Sequence, residues 1–259
     1  MKMKLYFKFF AMHLKSRMAY KKSFFFSLIG QFVTTFTGFL VLYFLLERFH
    51  TIKGYTMGEC LLSASIMWIA FPIAEWFFRG FDTFPSMIRS AEFDRVLVRP
   101  RSLIFQVMCH KIEFTRIGRL AQGVVTLALG IAASGVEWTA LRCLCLCLMI
   151  IGGVCVFCAL FLLYAGISFF TLEGLEFMNC FTDGAREHFA YPLDIYGPGF
   201  VKFGTYIIPY ALFSYYPLQY LLGRAGVGYA FLPLLAPLFL VPCYVVWCVG
   251  VRKYKSAGS

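Results

Sequence analysis

Long apolar runs separated by short polar gaps set the pattern of this chain. Six runs, at residues 23–46, 60–78, 117–134, 141–172, 200–222 and 227–250, each approach or exceed the roughly 20 residues that a helix needs to cross a bilayer. The pattern predicts an all-α integral membrane protein with six transmembrane helices. The fourth run is longer than a membrane requires, which implies tilt or an extension beyond the bilayer. The fifth contains Pro209 and Pro217, which predict a broken or re-entrant helix.

Before the first run, residues 1–22 interleave bases with apolar side chains. At 100° per residue Lys4, Lys8, Lys15 and Lys22 fall on one face, and Leu5, Phe9 and Met12 on another. That spacing predicts an amphipathic helix lying in the membrane interface, with the lysines as anchors to anionic lipid. Residues 23–259 then make one six-span domain.

One gap departs from the rest. Residues 81–102, FDTFPSMIRSAEFDRVLVRPRS, are polar and too long for a plain turn. Phe84, Met87, Ile88 and Ala91 recur at helical spacing, Asp82 or Thr83 is placed to cap, and Pro85 falls in a first turn, so a short helix is expected from Thr83 to Ala91. Arg89, Glu92, Asp94 and Arg95 give it a charged exit. A second polar stretch follows the fourth run. If that helix continues, Glu173, Glu176, Asp183 and Glu187 project from one face beside Arg186, either as a partner surface or as a solvated one.

Composition agrees with the pattern: 60% of residues are hydrophobic, 14% are charged, and the mean hydropathy is +0.74. The net charge of +11 is not spread as a nucleic-acid groove would be. Six spans would place twenty of the 24 Lys and Arg residues at the end that carries both termini and residues 81–102, which assigns that end to the cytoplasm. Within the spans, Glu75 lies four residues before Arg79, a spacing that pairs them on one helix face, structurally or as a substrate contact. Thr34, Thr35 and Thr37 give the first span a small polar side, and with Tyr206 and Tyr210 they are candidates to line a pathway, although the tyrosines equally suit an interfacial belt. Ten cysteines occur mostly inside apolar runs, where cysteine acts as a small hydrophobe, and no metal-ligating set is expected. No phosphate-binding G-x-x-x-x-G-K-[ST], zincin H-E-x-x-H or G-x-S-x-G nucleophile motif occurs, so a non-catalytic chain that binds no cofactor is expected.

Three stretches carry a resemblance: Glu92–Pro100 (EFDRVLVRP), Tyr191–Gly197 (YPLDIYG) and Ile208–Leu218 (IPYALFSYYPL). With the order of parts, they resemble the permease subunits of type-2 (ABC-2) ABC exporters, in a bacterial six-span subfamily. The resemblance implies a subunit of the bacterial cytoplasmic membrane with both termini cytoplasmic. It would pair with a second permease, identical or sister, and dock on a separate ATPase subunit that holds ATP and Mg. The N-terminal helix would be an elbow on the lipid surface, and the helix at 83–91 would be the coupling helix. The alternative from the residues alone is a stand-alone secondary transporter or channel.

Overall fold

The computed structural model describes residues 2–171 and 176–256, with side chains from residue 8 onward. All regular structure among them is helical. In chain order the α-helices are α1 Lys2–Met18, α2 Lys21–Phe49, α3 Met57–Asp82, α4 Phe84–Arg89, α5 Glu92–Leu97, α6 Leu103–His110, α7 Arg116–Ala133, α8 Ala140–Ile167, α9 Phe177–Phe181, α10 Asp183–His188, α11 Pro198–Tyr206, α12 Tyr210–Phe213, α13 Tyr215–Leu221 and α14 Leu240–Lys253. Two 3-10 segments, Leu193–Tyr196 and Val227–Phe239, complete the chain. Among the described residues five helical stretches are long and apolar enough to cross a membrane: Lys21–Phe49, Met57–Arg89, Arg116–Ala133, Ala140–Ile167 and Val227–Lys253.

The central helix is α3. It starts at a capping box, with the Thr56 hydroxyl accepting from the Glu59 N–H and the Glu59 carboxylate accepting from the Thr56 N–H. It is buried along most of its length against α7 and α8. Pro72 deprives the Trp68 carbonyl of its usual helical donor, four residues back. Gly123 of α7 comes against that carbonyl, where a Cβ would sit 2.5 Å from the oxygen. Small residues thus set the α3–α7 spacing, as in close membrane helix pairs.

Two ends of the bundle can be told apart by contacts. Both described termini lie with α4–α6: His13 bonds the Cys109 carbonyl, Arg17 pairs with Glu113, and Tyr254 donates to Asp94. This is the basic end. At the far end lie residues 50–56 and 222–226, joined where Arg224 meets Glu59 and the Gly54 carbonyl.

Several sequence expectations need correction. The fifth run is broken, as its prolines predict, into α11, α12 and α13. From the far end α11 descends to mid-bundle, where Tyr210 stacks on Phe189 at 4.5 Å and meets Phe157 at 6.1 Å; α13 then returns, so that Gln219 donates to the Tyr55 hydroxyl. Residues 177–197 instead rise from the basic end: Asp183 faces Arg119 on α7, whereas Asp194 accepts from the Tyr55 hydroxyl and through its backbone from Lys53.

The fourth run ends as helix at Ile167 rather than 172, so the acidic residues do not continue one helix face. Glu173 lies outside the described residues. Ahead of the third run the chain forms a separate short helix, α6, parted from α7 by residues 111–115. The first half of the last run, with Pro233 and Pro237 removing two N–H donors, is 3-10 rather than α. The chain breaks at Ala19–Tyr20, which takes Lys22 off the face of α1 and puts it on α2. Lys8 and Lys15 are exposed, and the side chain of Lys4 is not among those described. Phe10, rather than Phe9 or Met12, supplies the aromatic contact of α1 with the bundle, against Phe114 and Trp76; Met12 is 54% exposed.

Candidate functional site

Residues 83–102 form a folded block at the basic end. The helix expected from Thr83 to Ala91 ends at Arg89, because Ala91 adopts a left-handed conformation (φ 54°) that starts α5 instead. The apolar period is real, but it turns inward. Phe84, Met87 and Ile88 are buried in the chain's own core. Phe84 packs against Phe93 (5.0 Å between centroids), Phe169 at the end of α8 (5.1 Å) and Trp247 of α14 (5.0 Å). Phe81 meets Trp247 at 5.3 Å, and Tyr254 closes the set on Phe93 at 5.0 Å. Tyr254 and Ser256 both donate to the Asp94 carboxylate, at 3.0 and 2.6 Å. This aromatic hub ties the block to α3, α8 and α14.

The surface left open is the opposite one. Ser86, Arg89, Ser90, Glu92 and Arg95 are exposed, followed by Leu97, Val98 (83% exposed) and Arg99. Thr83 is half-buried, its hydroxyl donating to the Arg79 carbonyl. His110 lies 3.8 Å from Glu92; burial holds its pKa below the ordinary histidine value, Glu92 opposes that shift, and His13 and Lys111 add to it.

A charged hub flanks the other side of α3. Glu75, 1% exposed, takes Arg79 at 3.1 Å and Arg116 at 2.6 Å on one oxygen, and Arg119 at 3.5 Å on the other. Gln31 of α2 accepts from Arg116 and Arg119 at 3.2 and 2.6 Å. Arg79 also pairs with Asp82. On α10, Asp183 approaches Arg119 at 3.9 Å, while Arg186 pairs with Glu187 and lies 5.4 Å from the centre of the Phe71 ring. One buried carboxylate thereby fastens α3 to α7, and Gln31 adds α2.

The pair Glu75–Arg79 was legible as an i,i+4 spacing. Arg116 and Arg119 read as interfacial bases at the start of a span, and nothing local assigned them to Glu75, more than forty positions away. The acidic residues expected as one outward stripe separate: Asp183 turns to the hub, and Glu187 lies 3.5 Å from where a Cβ on Gly38 would sit. Glu176 immediately precedes α9 and is exposed.

The other candidates also sort. Thr35 is buried, and Thr34, Thr35 and Thr37 all donate back to carbonyls of their own helix. Tyr206 is 82% exposed, whereas Tyr210 is fully buried and donates to the Phe181 carbonyl. At the far end Tyr55, Asp194, Gln219, Arg224 and Glu59 form a polar latch; burial, then Asp194, pushes the Tyr55 phenol well above its ordinary pKa.

A family model described as ABC-2 family transporter protein matches residues 32–258. The chain belongs to the ABC-2 transporter family. It is a multi-pass membrane protein, the permease component of an ABC transporter. No curated protein and no solved structure matches it. The match spans the aromatic hub, Glu75 with its three arginines and the block at 83–102, so the loop that departs from the apolar pattern is an integral part of a permease.

Proposed function

We propose that the chain is half of an ATP-driven exporter of the bacterial cytoplasmic membrane, coupled to a separate ATPase subunit that carries ATP and Mg. A second permease, a copy or a sister, completes the pathway. The observation that carries this reading is the two-sided block at 83–102. Its apolar side is consumed by the aromatic hub, and its basic side, with Leu97 and Val98 protruding, is left for a partner. The motor contact is therefore assigned to Ser86, Glu92, Arg95, Val98 and Arg99, and not to Met87 or Ile88. The concentration of Lys and Arg at this end supports a cytoplasmic position for it and for both termini.

Six crossings follow if residues 177–197 make the fifth and residues 198–221 a re-entrant hairpin from outside. Such irregular backbone suits membrane depth only where protein buries it. Both hubs would pass motor movement onward, the aromatic one into α8 and α14 and the charged one into α7 and α2. Tagged protein purified from native membranes should bring with it a P-loop ATPase. Ion-gradient-driven transport by the purified chain alone would point to a secondary transporter instead.

A further inference from the structure

A cavity of about 530 Å³ lies between α9, α10 and α11, a size in the range of small-molecule sites. Its walls are the rings of Phe181, Phe189, Tyr196, Phe200 and Phe203, with His188 and Cys180 as the polar side chains. The rings are braced by one another and from behind: Phe181 on Phe203 at 6.2 Å, Tyr196 on Phe200 at 5.3 Å, and Phe189 on Tyr210 at 4.5 Å. The backbone carbonyls of two wall residues are already engaged, Phe181 by the Tyr210 hydroxyl and His188 by that of Tyr196. Among the described residues no carboxylate or guanidinium lines the space. The charges of neighbouring α10 are directed elsewhere, Asp183 to Arg119 and Arg186 to Glu187 and Phe71.

We propose that this cavity binds an uncharged aromatic molecule drawn from the bilayer. A charged ligand would surrender its hydration and meet no counter-charge. Ring faces do attract cations, but that attraction is strong where a cation is caged and paired, and the described wall residues include no carboxylate. The binding site itself does not depend on the exporter reading; calling its occupant cargo rests on that reading.

The test uses full-length protein in lipid nanodiscs, with Cys180 kept as the single cysteine. Cys180 is exposed and lines the cavity, so maleimide labelling reports occupancy. The probes are N-phenyl-1-naphthylamine, which is neutral, and tetraphenylphosphonium, a bulky aromatic cation. At twice its dissociation constant the neutral probe should slow labelling about threefold, as simple occupancy requires. Tetraphenylphosphonium at the same concentration should leave the rate unchanged. Gly199 lines the cavity and a Cβ there would meet nothing within 4 Å, so Gly199→Phe should fill the space, slow labelling by itself and abolish the effect of the neutral probe. Gly199→Leu serves if the larger side chain impairs folding. Equal protection by the cation, protection that survives both Gly199 variants, or no protection by the neutral probe would each overturn the proposal. An ATPase that fails to co-purify would contradict the exporter and leave the labelling result standing.

Discussion

Two hubs grip the basic end of α3, and they are built from opposite chemistry. The aromatic hub is a stack of Phe81, Phe84, Phe93, Phe169, Trp247 and Tyr254, held by dispersion and by exclusion from solvent. Each ring has several partners, so losing one weakens the whole by degrees. The charged hub depends on one carboxylate. Glu75 is the shared partner of Arg79, Arg116 and Arg119, and little solvent is available to replace it. The first arrangement suits a rigid joint between the 83–102 block and the helices packed on it. The second suits a fastening with discrete states, because ion pairs exchange partners where packed rings cannot. Asp183, at 3.9 Å from Arg119 and 54% exposed, is placed to be such an exchange partner.

The difference can be broken from either side. Removing Glu75 should have the largest effect. Glu75→Ala strands buried guanidinium groups, and breaking a buried pair in this way costs about 3–5 kcal/mol. A steep fall in unfolding temperature at fixed detergent, with loss of yield, is expected; a near-native temperature would mean that water already screens the hub. Phe93→Leu should be milder, about 1–2 kcal/mol, because volume is nearly kept while edge-to-face ring contacts go. A drop as large as that of Glu75→Ala would show that the aromatic hub is as brittle as the charged one.

The smallest effect concerns His110, at the exposed edge between the block and α6. Its folded-state pKa lies below the ordinary value of about 6.5 because burial disfavours the charged ring. The unfolded chain therefore takes up the proton first as pH falls. The contribution of neutral His110 to stability is fully present above that value and is lost as pH drops through 6.5 towards the folded pKa. His110→Asn should flatten this part of the stability profile. An unchanged slope would assign it to other groups.

Much of this was readable from the chain, and the failures have physical causes. Hydropathy located the five long helical stretches, because apolar length is a local property. Pro209 and Pro217 announced a break in 198–221, but hydropathy could not say which end of the bundle each half of the broken run approaches. That distinction rests on long-range contacts, Asp194 and Gln219 with Tyr55. The Phe84, Met87, Ile88 period correctly announced a buried face, but periodicity says that a face is covered and not by what. Here the cover is Phe169, Trp247 and Phe93 of the same chain. The acidic stripe failed because it assumed a helix continuing past 167. Arg116 and Arg119 were visible as bases at a span entrance, yet their shared partner on α3 is a tertiary fact.

The central claim is that the block at 83–102 meets its motor through the basic, outward side. The direct measurement is co-purification of the ATPase with Arg95→Glu/Val98→Asp, two exposed positions outside the core. The account predicts that this protein keeps the unfolding temperature of the wild type and loses the ATPase. Full retention of the ATPase by a folded double variant would contradict it.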